Sequence, residues 1–137
     1  QIREEKLVYI DDYGHHPSEI AATIAGTREL YPTQHLTVVF QSHTYTRTTE
    51  LFKDFASALA KADRVILLPI YAAREENLSG VSSEQIAAAL NEIGTPAICF
   101  ATHGAAVEEV KENTKENSVV LVMGAGDVTK VAGLLTE

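Results

Sequence analysis

Arg47 lies in Gln41-Ser42-His43-Thr44-Tyr45-Thr46-Arg47-Thr48, directly ahead of a stretch of helical period. A helix start already favours a carboxylate or phosphate, and a planar guanidinium beside it adds bidentate binding. His43 in the same segment can supply a further donor, as can Tyr13 and His15 of Asp11-Asp12-Tyr13-Gly14-His15-His16-Pro17. Asp12, by contrast, is suited to accept hydrogen bonds from sugar hydroxyls. Together these types describe a grip on an anionic small molecule. The competing role for Arg47 is a surface ion pair with Glu50 or Asp54, the acids within reach along a helix face. Three other segments are polar in the same way: Tyr71-Ala72-Ala73-Arg74-Glu75-Glu76, Thr102-His103-Gly104 and Gly124-Ala125-Gly126-Asp127. Helix starts recruit Asp, Ser and Thr as caps, but capping calls for neither His nor Arg, so the cluster points to a ligand.

Other chemistries fail on spacing. The glycines of Gly124-Ala125-Gly126 suggest a dinucleotide turn, but Thr129 holds the third glycine position, which argues against NAD. They are suited instead to a turn passing close to a ligand or a neighbouring helix, with Asp127 as an N-cap. No G-x-x-x-x-G-K-[ST] loop is present to cradle a triphosphate, no H-E-x-x-H helix to hold zinc, and no G-x-S-x-G elbow. His15 and His16 are adjacent, which does not aim two imidazoles at one metal. The lone Cys99, in the apolar run Ala97-Ile98-Cys99-Phe100, excludes a disulfide framework and reads as a small core residue in a reducing compartment.

These segments must be held by something, and the apolar pattern says what. Apolar runs at 7–10, 36–40, 65–70, 97–101 and 119–123 lack strict alternation, as strands covered on both faces do. Helical period falls between them: from Pro17 to Leu30, from 49 to 62, from the capping box Ser82-Ser83-Glu84-Gln85 to Gly94, and more weakly over 104–111 and 127–135. Five βα units predict a doubly wound α/β fold, mainly parallel, with helices on both faces. Every polar segment then follows a strand, at the carboxyl edge where such sheets bind ligands, and all histidines but His35 lie there.

The chain is one domain over residues 1–137, with 45% hydrophobic residues, 22% charged residues and a formal net charge of −8. The acidic balance argues against a nucleic-acid partner, and no apolar stretch nears the roughly 20 residues a membrane span needs. With no signal-peptide pattern, a cytoplasmic location is expected. The chain begins at Gln1 and enters a strand almost at once, as a domain excised from a longer protein would.

The segments Asp11-Asp12-Tyr13-Gly14-His15-His16-Pro17, Phe40 to Thr48, Ile70 to Glu75 and Gly124-Ala125-Gly126-Asp127 occur in the register of one family. Over nearly its whole length the chain resembles the C-terminal domain of the Mur ligases of bacterial peptidoglycan synthesis. The His43 to Arg47 pattern resembles the alanine-adding branch more than the branch that recycles murein tripeptide. Two residues depart from the family pattern: Ser42 stands where Pro is usual, and Thr44 where many members have a second Arg.

The resemblance implies a three-domain, ATP- and Mg2+-dependent, ADP-forming ligase. An N-terminal domain binds UDP-N-acetylmuramate and a central domain carries the phosphate loop. In the reaction the resemblance implies, ATP phosphorylates the muramoyl carboxylate, and the amino group of L-alanine attacks the resulting acyl phosphate through a tetrahedral intermediate that expels phosphate. It further implies that Arg47, His43, His15 and Tyr13 hold the alanine, that Asp12 contacts the nucleotide ribose, and that Arg74, Gly124, Gly126 and Asp127 are further site candidates. A noncatalytic anion-binding or regulatory module of the same fold is the alternative.

Overall fold

A computed structural model of the 137-residue chain describes residues 2–4, 7–12, 16–72, 75–77, 80–114 and 117–124, the first two segments as backbone only. Among them are ten elements. In chain order they are β1 (Ile2–Glu4), β2 (Leu7–Asp12), α1 (Pro17–Leu30), β3 (His35–Gln41), α2 (Tyr45–Leu59), β4 (Arg64–Leu67), α3 (Ser83–Ile93), β5 (Ala97–Cys99), α4 (His103–Asn113) and β6 (Ser118–Gly124). The six strands form one sheet in the order β1-β2-β6-β3-β4-β5. All neighbouring pairs are parallel except β1 with β2.

This order dictates which face each helix covers. The connections β2 to β3, β3 to β4 and β4 to β5 all step one way along the sheet, and β5 to β6 steps back between β2 and β3. Right-handed crossovers therefore put α1, α2 and α3 on one face and α4 on the other. The two apolar layers follow suit. Ile20, Ile24, Phe55, Leu59, Ile86 and Leu90 pack with Leu36, Val38, Phe40, Leu121 and Met123. On the other face, Ala106, Val107 and Val110 pack with Val39, Ile66, Leu68, Val120 and Val122. Alternate residues of each central strand thus serve opposite layers, which is why the runs are largely apolar on both faces.

Local chemistry sets the element ends. Ser82 donates its amide to Gln85 Oε1 at 2.9 Å to close the expected capping box. Gly94, at φ 103°, ends α3 in the left-handed conformation that glycine adopts without steric cost. At the amino edge, Arg28 pairs with Asp63 at 3.1 Å, and Asp63 also accepts from the Leu36 amide at 2.8 Å, tying α1 to the start of β3.

Several expected boundaries shift. β2 runs to Asp12 rather than stopping at Ile10, since its ladder with β6 continues through Asp12 opposite Met123. β4 ends at Leu67, shortly before Pro69, whose nitrogen has no hydrogen to donate. β5 ends at Cys99, although the Phe100 amide still donates to Leu67 O at 2.9 Å. α2 begins at Tyr45, four residues earlier than its apolar period indicates, and α4 spans 103–113. The antiparallel edge strand β1 is new. The helix expected at 127–135 lies outside the described residues.

Candidate functional site

Strand order brings the carboxyl ends of β2, β6 and β3 side by side. Asp12 ends β2 opposite Met123, and Gly124 ends β6 opposite Gln41 of β3. With strands about 4.8 Å apart, Asp12 and the segment leaving β3 are roughly 10 Å apart, the span of one small ligand. Tyr13, His15, Arg74, Gly126 and Asp127 lie outside the described residues. Of the sequence-derived candidates, the structure therefore gathers Asp12, His43, Arg47 and Gly124 along one edge.

Gly124 has a specific reason to be glycine. Its φ is 129°, and a Cβ built there would run into the Gln41 carbonyl oxygen. A close approach to a ligand or to a neighbouring helix is expected here, and in place of a helix the missing Cβ admits the neighbouring strand β3.

The segment leaving β3 is knitted to the one leaving β4. Thr44 N donates to Tyr71 O at 2.7 Å, Tyr71 N donates to Ser42 O at 2.9 Å, and His43 pairs with Tyr71 in a parallel bridge. Their rings stack at 5.7 Å with 13° between planes. Buried Ser42 meets buried Thr48 hydroxyl to hydroxyl at 2.5 Å, a contact that Pro at 42 would lack. Gln41 Nε2 donates to Pro69 O at 3.0 Å, a third link between the two segments.

Thr44 is the N-cap of α2, its hydroxyl accepting from Arg47 N at 3.2 Å. Its φ of 61° is costly for a β-branched residue, and backbone strain of this kind clusters at functional sites. Thr44 thus caps the helix that carries Arg47. Arg47 itself is half-buried in the first turn. Among the described residues it forms no ion pair, so the alternative pairing with Glu50 or Asp54 is not seen.

Two expectations are corrected here. The amides at the start of α2 are not open to a ligand. Glu75 Oε1 accepts from Tyr45 N at 2.7 Å and from Thr46 N at 3.1 Å, and Oε2 accepts from the Thr46 hydroxyl at 2.9 Å. The hydrogen bond from the Thr46 amide, seconded by that from its hydroxyl, by the Tyr45 amide and by nearby His43, holds the Glu75 carboxyl below its ordinary value. α2 has no acid in its own first turn, so this loop supplies the charge its dipole favours. The second correction is that a histidine does cap a helix. His16 Nδ1 accepts from Ser18 N at 3.2 Å while His16 N donates to Glu19 Oε1 at 3.2 Å, a capping box at α1.

Sequence reasoning missed Glu75 and Gln41 because their partners lie in other segments, and Thr48 because its contact with Ser42 forms only once the helix start folds back on the strand end. It also missed a cavity of about 410 Å3 beyond β4 and β5, lined by Tyr45, Pro69, Ser82, Cys99 and Phe100 among others. Burial there pushes the Cys99 thiol up, with Glu84 adding to the effect, so it is a poor nucleophile at neutral pH. Among the described residues no group of three His, Cys, Asp or Glu is placed to hold a metal ion, and no helix is long and apolar enough to cross a membrane.

Comparison with known proteins gives these features a family. The profile of the Mur ligase, glutamate ligase domain matches residues 1–126. The UDP-N-acetylmuramate–L-alanine ligase of Acidithiobacillus ferrooxidans is 43% identical over 126 residues, covering 92% of this chain and 27% of the relative. The crystal structure of the UDP-N-acetylmuramate-alanine ligase of Thermotoga maritima superposes with a TM-score of 0.77 at 25% identity, over 95% of this chain and 26% of that one. A murein peptide ligase from Psychrobacter arcticus shares the fold at a TM-score of 0.78 and 12% identity, over 96% of this chain and 27% of that one. The chain thus spans between a quarter and a third of these relatives, and it belongs to the Mur ligase family as its C-terminal, glutamate ligase domain.

Proposed function

We propose that this chain is the amino-acid-holding domain of an ATP-dependent ligase that joins L-alanine to UDP-N-acetylmuramate. Half-buried Arg47, without an acidic partner among the described residues and beside His43, is the observation that carries the reading. A half-buried guanidinium with no acidic partner among the described residues fits an amino-acid carboxylate. Tyr13 and His15 would complete the grip, with Arg74, Gly126 and Asp127 as further candidates.

The described edge fits a carboxylate and a sugar hydroxyl better than a triphosphate with its metal. It offers one half-buried arginine and several hydroxyls, and no phosphate loop occurs in the sequence. ATP and Mg2+ would therefore be bound mainly by a central domain of the longer protein, leaving Asp12 to meet the ribose. When bound, ATP supplies the phosphoryl group that activates the muramoyl carboxylate. This chain's part is to present the alanine amino group in line with that carbon once the domains close, and orientation of this kind can account for roughly 7 to 11 kcal/mol of a barrier.

Two results test the reading. With UDP-N-acetylmuramate, Mg2+ and ATP, the full-length protein is expected to release ADP in step with added L-alanine, whereas the 137-residue chain alone releases none. Alanine-dependent ATP hydrolysis by the isolated chain would refute the division of labour, and dependence on murein tripeptide instead of alanine would move the protein to the recycling branch. Asp12→Ala in the full-length protein is expected to raise the KM for ATP about tenfold or more while leaving alanine largely unaffected, because a hydrogen bond to a charged group is worth roughly 1.5 to 3 kcal/mol. An unchanged ATP constant with collapsed alanine binding would assign Asp12 to the amino acid.

A further inference from the structure

We propose that Glu75 is a positioning residue for amino-acid binding: by capping α2 from the neighbouring loop it sets where Arg47 and His43 stand. The inference rests on the alanine-holding role of those two residues. Glu75 joins the loop after β4 to both of the first two amides of α2 and to the Thr46 hydroxyl. The same loop carries Tyr71, whose ring stacks on His43 and whose carbonyl holds the amide of Thr44.

Thr44 makes this dependence acute. Its φ of 61° is a conformation that the surroundings must impose, and what imposes it is the Tyr71 carbonyl on one side and the fixed first turn of α2 on the other. Without Glu75, the Tyr45 and Thr46 amides lose their acceptor, the first turn is free to fray, and Thr44 can relax out of the left-handed region. Arg47 lies in that turn, so its guanidinium would move with it. Glu75 does not itself receive the substrate, because its oxygens are already engaged with Tyr45 and Thr46. The low carboxyl pKa agrees with an anion held for the helix start throughout the neutral range.

The test uses the full-length protein, with KM measured separately for L-alanine, ATP and UDP-N-acetylmuramate. Glu75→Ala is expected to raise the KM for alanine about tenfold or more, with the other two constants within about threefold, since misplacement of the order of 1 Å can cost about 100-fold. Glu75→Gln keeps an oxygen that accepts from both amides and is expected to stay within about threefold of wild type. Four results would overturn the assignment: an unchanged alanine KM, a lowered one that makes Glu75 a competitor for the helix start, all three constants rising together, or Gln no better than Ala. Arg47→Ala separates the two levels. If it impairs alanine use while Glu75→Ala does not, only the positioning role falls, and if neither variant affects alanine, the alanine-holding reading falls with it.

Discussion

Arg47→Ala in the full-length protein is expected to lower kcat/KM for L-alanine by about 30-fold to several thousand-fold, because truncating one partner of a desolvated charge pair costs roughly 2 to 5 kcal/mol. The groups beside the guanidinium are already engaged. The Tyr45 and Thr46 amides are held by Glu75, and the Arg47 amide is held by the Thr44 hydroxyl. Arg47 is the one arginine between Gln41 and Thr48, and Thr44 is occupied as the cap. Lysine at 47 is expected to rescue only partly, since a point charge does not reproduce the planar fork. Thermal stability should barely move, as no ion pair among the described residues is lost. Steady-state kinetics with alanine varied at saturating ATP and UDP-sugar measure this directly, and a change below about threefold, under roughly 1 kcal/mol, would remove Arg47 from the site.

The largest expected effect on folding is at Gly124. Alanine there must hold φ near 129° and push its Cβ into the Gln41 carbonyl oxygen, which belongs to the last residue of β3, paired with Gly124 in the β3–β6 ladder. The backbone conformation alone costs about 1 to 3 kcal/mol, and the clash cannot be relieved by a side-chain rotation. A loss of about 3 kcal/mol or more, near a 10 °C drop in Tm by calorimetry, is expected. Gly26→Ala is the internal control. Gly26 is exposed within α1 with nothing within 4 Å of its added Cβ, so that substitution should leave stability unchanged or raise it by up to about 1 kcal/mol. A Gly124→Ala protein as stable as wild type would mean that β3 and β6 do not approach as described.

The range of each interaction decides how far it is legible in the sequence. β3 and β6 are legible because both faces are buried, so that Val119 to Met123 is unbroken and Leu36 to Phe40 is interrupted only by Thr37. α3 was legible because its cap residues, Ser82 and Gln85, are three apart. α2 was placed four residues late: Tyr45-Thr46-Arg47-Thr48 has neither an apolar stripe nor an acid of its own, and the acid that starts the helix comes from Glu75. β1 is three residues long and carries too little pattern to register. The candidate site divides the same way. Arg47 and His43 share one short segment and announce themselves, whereas the stack on Tyr71, the cap from Glu75 and the Gln41 link to Pro69 exist only once separate loops meet.

If Arg47 holds the carboxylate of the incoming amino acid, the protein must distinguish L-alanine from L-alaninamide. The amide keeps a primary amine to attack and lacks the anion that the guanidinium would grip, and the change in amine basicity it also brings is common to wild type and variant. The full-length wild type is expected to favour L-alanine in kcat/KM by about 100-fold or more, with Arg47→Ala reducing that preference to within about threefold. A variant that discriminates between the two as well as wild type would contradict the claim.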